Sequence, residues 1–108
     1  MPSVDDWHRL KVRTGRIVRA EPNAGARDPA YSLWIDFGEL GELQSSAKIT
    51  DLYRPDDLVG RNVVAVTGFD SMRVGGFRSD VLVIGAETPD GVVLLRPDDD
   101  VAPGTVVA

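Results

Sequence analysis

The chain has 108 residues, enough for one domain that buries roughly two-thirds of its unfolded surface, and it has no cysteine, which excludes disulfides, thiolate metal sites and thiol catalysis. The net charge of −5 argues against a generic nucleic-acid binder, because neutralising phosphates needs a positive surface. Ten of the twelve basic residues are arginine, however, and many gather at Arg9–Arg19 and Arg73–Arg78, away from Asp56-Asp57 and Asp98-Asp99-Asp100, so a locally positive face on an acidic protein is compatible with the sequence.

Residues 3–9 are compatible with a short helix. Ser3 can cap it, Asp5 and Asp6 suit the positive end of its dipole, and Trp7 and Leu10 share a face. Trp7 on so short a helix needs a surface to pack on, either the body of the fold or a second copy. From Leu10 to Glu21 the chain alternates, with Leu10, Val12 and Thr14 on one side. Gly15 interrupts the pattern and Ile17-Val18 follow as adjacent apolar residues, so a bulge at Gly15 is expected to bend a long first strand. Residues 22–30 form a loop of turn residues. Tyr31 to Phe37 is the cleanest strand, with Tyr31, Leu33, Ile35 and Phe37 facing the core and Ser32, Trp34 and Asp36 facing away. Gly38–Gly41 turns the chain into a strand over 42–47.

Thr50 or Asp51 can cap a short helical turn, Pro55 suits the first position of another, and Gly60 can take the positive φ that ends it. Apolar strands are expected at Val63–Phe69 and Val81–Ala86, with an Arg- and Gly-bearing loop, residues 70–80, between them. Asp90-Gly91 signals a tight turn before a strand at Val92–Leu95, and Thr105–Val107 suits a last short strand. About six or seven strands with a helical turn midway, and no long amphipathic helix, predict an all-β fold: an OB-fold, that is, a five-stranded β-barrel. Residues 1–108 read as a single domain. No apolar run approaches the ~20 residues that span a bilayer, and the N-terminus has no basic region followed by an apolar one. No membrane insertion and a cytoplasmic location are therefore expected.

No catalytic constellation is evident. His8 is the one histidine and has no partner that spacing identifies. The aspartates do not follow a calcium-loop pattern, and there is no P-loop or dinucleotide fingerprint. Neither an enzyme nor a cofactor or metal site is expected. Arg73 and Arg78 flank Val74-Gly75-Gly76-Phe77, and this mixture of arginine and an aromatic in a glycine loop suits phosphate and unpaired bases. Phe77 either stacks there or anchors the loop in the core. A second candidate is an apolar surface containing Trp34, Phe69 and Met72, which marks a peptide groove or a homodimer contact.

Three stretches resemble the CsaA family of small export-related chaperones: Gln44-Ser45-Ser46-Ala47-Lys48-Ile49-Thr50, Tyr53-Arg54-Pro55-Asp56-Asp57-Leu58-Val59-Gly60, and Ser79-Asp80-Val81-Leu82-Val83-Ile84-Gly85. Val12 to Glu21 and Ile35-Asp36-Phe37-Gly38 are similar to it too. That family lies within a wider set of tRNA-binding OB-folds found appended to methionyl-tRNA synthetases. The resemblance implies an OB-fold with extra terminal elements for dimerisation, a homodimer, tRNA as a partner, and unfolded or preprotein polypeptides as possible clients. It implies RNA contacts at Ser46, Lys48, Arg73, Arg78 and Ser79, and a peptide pocket near Trp34, Phe69, Met72 and Phe77. The run Gly68-Phe69-Asp70-Ser71-Met72-Arg73 departs from the family, which usually has two prolines and two basic residues here. One fewer cation and an added Asp70 should weaken tRNA affinity and flatten its salt dependence. A peptide-binding chaperone with no RNA role is the competing expectation.

Overall fold

A computed structural model describes residues 1–108. The elements in order are α1 (Val4–Leu10), β1 (Val12–Pro22), β2 (Tyr31–Asp36), β3 (Glu42–Ala47), α2 (Pro55–Leu58), β4 (Asn62–Val66), β5 (Met72–Val74), β6 (Phe77–Ser79), β7 (Leu82–Val83), β8 (Gly85–Thr88) and β9 (Gly91–Leu94), with a 3-10 turn at Gly38–Leu40. Five strands form one antiparallel sheet in the order β3-β2-β1-β4-β7, and β5–β6 and β8–β9 are separate hairpins.

The sheet curls until its two edges nearly meet. The Gln44 carbonyl accepts from the N–H groups of Asp80 (2.8 Å) and Val81 (3.1 Å), and the enclosed Ser45 hydroxyl accepts from Val83 N–H (3.4 Å). A nearly closed barrel leaves little unpaired edge for other chains to join. Its interior is the apolar set expected from β2, with Leu33, Ile35 and Phe37 wholly enclosed and Tyr31 nearly so. Ile17, Leu58, Val63, Ala65 and Val81 complete it. Each large aliphatic removed from water there contributes about 1.5–3 kcal/mol. The all-β barrel is thus the fold the sequence predicts.

Several local expectations need correction. The bulge in β1 is at Val18, not Gly15: Ile17 pairs with Ile35 and Arg19 with Trp34, so Val18 is the extra residue. Gly15 instead provides clearance, since a Cβ on it would lie 2.6 Å from Ile35 Cγ2 and 2.8 Å from Phe37 Cε1. Thr50–Leu52 turn without forming a helix, whereas Pro55 does open α2 and Gly60 has φ +89°. β4 ends at Val66 rather than Phe69. The stretch Val81–Ala86 is divided: β7 continues the barrel from β4, and β8 turns away to pair with β9. Gly85 permits that turn, because a Cβ on it would lie 2.6 Å from Val92 Cγ1.

The largest difference is at 70–80, which is a β-hairpin rather than a loop. Gly75 and Gly76, with φ +57° and +81°, make the two-residue turn that right-twisted strands favour. At the C-terminus, 105–107 forms only a single bridge, from Val106 to Arg13. Residues 102–107 nonetheless run along the edge of β1. Thr14 Oγ1 donates to the Ala102 carbonyl (3.1 Å), and Val107 N–H donates to the Val12 carbonyl (3.0 Å). No helix is long and apolar enough to cross a membrane.

Candidate nucleic-acid interface

The β5–β6 hairpin organises the candidate site. Its register places Met72 opposite Ser79, Arg73 opposite Arg78, and Val74 opposite Phe77. Opposed residues share a face and successive pairs alternate. Ser79 is buried and Phe77 half-buried, so those pairs face the body of the protein and the two arginines face solvent together. Directly opposed like charges weaken a strand pair, so this arrangement is not explained by the hairpin's own stability.

The inward face is held at four points. Ser46 N–H donates to Ser79 Oγ (3.0 Å), which donates to the Val81 carbonyl (3.0 Å). Gln44 Nε2 donates to the Arg78 carbonyl (2.8 Å), and Asn23 Nδ2 donates to the Val74 carbonyl (2.8 Å). Phe77 meets Trp34 edge-on at 5.4 Å, and the Arg19 guanidinium lies 4.3 Å from the centre of the Trp34 ring. Glu21 fixes that guanidinium by accepting from Arg19 Nη2 at 2.6 Å. Trp34 therefore stands between a guanidinium at its ring face and a phenyl ring edge-on to it, and these contacts seat the hairpin on the outer face of the sheet.

Lys48 and Arg78 each have one carboxylate partner. Lys48 Nζ pairs with Asp28 at 3.0 Å with both side chains mostly exposed, and Arg78 Nε pairs with Asp80 at 2.9 Å. The exposed Lys48–Asp28 pair is worth about 0–1 kcal/mol, less than a charge-assisted bond to phosphate, whereas the Asp80 side chain is only 17% exposed and also accepts from Gln44 N–H. Arg73 Nη1 donates to the Gly76 carbonyl (3.1 Å) and has no carboxylate partner.

Behind the hairpin is a groove of about 440 Å³ between β3, β5–β6 and β7–β8. Met72, Val74, Leu82, Val83, Ile84 and Val92 make its apolar walls, and Ser46, Lys48, Ser79 and Glu87 its polar ones. Of the nine predicted site residues, Ser46, Lys48, Met72 and Ser79 thus line one cavity, Arg73 and Arg78 lie on the outer side of its wall, and Trp34 and Phe77 pack on each other. Ser79, expected as an RNA contact, is only 3% exposed with its hydroxyl bonded on both sides, so it serves by holding β6. Phe69 is separate from the rest. It follows Gly68, whose N–H is bonded to Leu10 at the end of α1 (2.8 Å).

Sequence reasoning did not single out Arg19, Asn23 or Gln44. Arg19 was hidden by the bulge, because residues 16 and 19 lie on opposite faces of a regular strand. With Val18 extra, Arg16 pairs with Asp36 and Arg19 with Trp34, two residues on one face of β2. The adjacent apolar pair Ile17-Val18 was the signal for this.

Residues 12–106 match the family described as a putative tRNA-binding domain. The crystal structure of the chaperone CsaA from Bacillus anthracis shares 44% identity, with a TM-score of 0.89 over all of this chain and 99% of that one. That of CsaA from Picrophilus torridus shares 39%, with a TM-score of 0.94 over the whole of both chains. The methionine–tRNA ligase of Thiobacillus denitrificans is 36% identical over 97% of this chain. The chain spans only 16% of that ligase's length. The resemblance to CsaA proteins read from the motifs is therefore met along the whole chain, and the chain belongs to the tRNA-binding domain family.

Proposed function

We propose that this chain binds tRNA through the outer face of the β5–β6 hairpin and the adjoining mouth of the groove behind it. Arg73 and Arg78 contact phosphate, Lys48 joins them by leaving Asp28, Ser46 offers hydrogen bonds, and Ser79 and Phe77 hold the hairpin in place. The observation that carries this reading is the pair of opposed, solvent-facing arginines, an arrangement that costs the hairpin stability and suits an extended polyanion. Family membership supports it. On this reading the 108 residues act as one domain, without catalysis of their own.

The test is fluorescence anisotropy with unfractionated tRNA at about 50 and about 200 mM salt. Binding should weaken steeply between the two, and Arg73→Ala with Arg78→Ala should reduce the slope of log affinity against log salt by about 1 for each phosphate no longer neutralised. Unchanged affinity and slope in the double variant, at an unchanged melting temperature, would sink the assignment.

A second reading is that the groove receives apolar side chains of an unfolded or preprotein polypeptide, as a secretion-related chaperone would. Its apolar walls and the exposed, adaptable Met72 favour this. Met72→Asp should then reduce protection of a denatured client from aggregation. A homodimer is supported by α1, which buries none of its residues, and by the neighbouring apolar cavity of about 530 Å³ lined by Trp7, Val12, Val64 and Leu95. Sedimentation should give twice the monomer mass, and Trp7→Ser should lower it.

A further inference from the structure

Away from the hairpin, on the outer side of β1 and β4, is a pocket of about 370 Å³ lined, apart from Gly60 and Pro97, by charged and amide side chains. Three distant stretches build it: Arg16 from β1, Gly60-Arg61-Asn62 at the start of β4, and Arg96 to Asp100. Three guanidinium-bearing side chains converge here, and their circumstances differ. Arg16 Nη2 is paired with Asp100 Oδ1 at 2.8 Å, and Asn62 Nδ2 donates to the same oxygen at 2.7 Å. Arg61 and Arg96 form no ion pair, although Asp98 and Asp99 line the same pocket. A pocket that existed only to neutralise its own charges would have paired them.

Arg61 is also prepared in two ways. Its guanidinium sits over the Tyr53 ring, 5.1 Å from the centre, and that ring is fixed because Tyr53 Oη accepts from Leu94 N–H at 3.0 Å. Its Nε is buried and has no hydrogen-bond partner, the only buried side-chain polar atom in the protein left so. A buried donor without an acceptor costs about 1–3 kcal/mol, a cost that the fold does not recover within itself. A planar guanidinium held on an aromatic face loses little freedom when it accepts a forked partner.

We infer that this pocket is a second anion site, built by Arg61 and Arg96 with Arg16 behind them, for a phosphate group. Two sources fit that chemistry: a phosphodiester of the RNA held at the hairpin, or a free phosphate or phosphorylated small molecule. The RNA source rests on the proposed function, and the outer face of β1 supports it. Arg16 and Arg19 lie on one face through the Val18 bulge, three residues or about 10 Å apart along the strand. Arg19 touches Trp34, and Trp34 touches Phe77 of the hairpin. Arg19, Trp34 and Phe77 thus join the hairpin to β1, and Arg16 lies on the same face as Arg19. Asp98 and Asp99 in its lining oppose an anion and set its affinity low.

The experiment is a titration of the full chain with inorganic phosphate, followed by amide chemical shifts, alongside the tRNA salt series. Phosphate should move the Gly60–Asn62 amides. Arg96→Ala should abolish those shifts, and Asp98→Asn with Asp99→Asn should tighten the binding severalfold. If Arg96→Ala also lowers the tRNA salt slope by about 1, the phosphate belongs to RNA. If the slope stays while the phosphate shifts vanish, the ligand is a free phosphate. Phosphate shifts spread evenly over every arginine, or none at Gly60–Asn62 together with an unchanged tRNA slope in Arg96→Ala, would overturn the site. The phosphate titration does not involve the hairpin, so loss of the hairpin reading through Arg73→Ala with Arg78→Ala would leave this result standing.

Discussion

A single added methyl group distinguishes clearance from phase at Gly15. Ile35 Cγ2 and Phe37 Cε1 occupy the space, and both belong to wholly enclosed side chains that cannot swing aside. Gly15→Ala should therefore cost about 1–3 kcal/mol by overpacking, read as a lower denaturation midpoint at constant m-value. Ser79→Ala belongs to the same scale with a different mechanism. It removes the acceptor of Ser46 N–H and the donor to the Val81 carbonyl. The expected destabilisation is about 1–3 kcal/mol, together with weaker tRNA binding that retains the parent salt slope, because every phosphate-binding cation is still present. Asp100 is held below the ordinary carboxylate value of 3.8, first by the Asn62 hydrogen bond and then by Arg16. A depressed folded-state value means that the stabilisation is present above the unfolded value and is lost as pH falls through the lower one. Asn62→Ala should raise the Asp100 midpoint, measured by carboxyl chemical shift against pH.

At the scale of elements, the β5–β6 hairpin is the part that a change can detach without unfolding the barrel. Its tip meets the 22–30 loop backbone to backbone, and a Cβ on Gly75 would collide with Gly25 and Ala26. Gly75→Val should unseat the tip while leaving the barrel core intact. The expected result is loss of tRNA affinity with faster amide exchange confined to 72–79. Elements this short explain what the sequence did and did not reveal. β2 was legible because six residues alternate strictly, and α2 because Pro55 and Gly60 bracket it. β5 and β6 have three residues each, too few for periodicity, and their arginines have no β signature. The adjacent glycines were the available sign, and they suit an open loop as well as a tight turn. β7 and β8 fused into one apolar run because hydropathy does not record a change of partner, although Gly85 marked it.

The whole molecule carries its charge unevenly. The net of −5 predicts repulsion from RNA at long range, yet Arg16, Arg19, Arg73 and Arg78 share the outer side of the barrel and hairpin. The basic clusters were visible in the sequence as two stretches. Their union was not, because it depends on strand register and on a hairpin folding back over β2. The convergence of Arg16, Arg61 and Arg96 was likewise illegible, since these residues are far apart along the chain: β1–β4 pairing brings Arg16 beside Arg61, and the bonds of Asp100 to Arg16 and Asn62 bring in the stretch that holds Arg96. Retention at low salt that collapses at higher salt is the expected outcome of such a local field on an acidic body.

The Val18 bulge has a consequence for chain length. β1 has one residue more than its ladder with β2 uses, so it is the one strand that can lose a residue and keep its faces. Removing Val18 would put Arg16 and Arg19 two positions apart, still on one side by the ordinary pleat. Removing a residue from β2 instead would turn Trp34 inward or Leu33 outward. Relatives should accordingly vary in length at this point of β1 more readily than anywhere in β2. The shortened strand would lose the bend that a bulge supplies. The gap between β3 and β7 should widen, with Val81 and Val83 amides exchanging first.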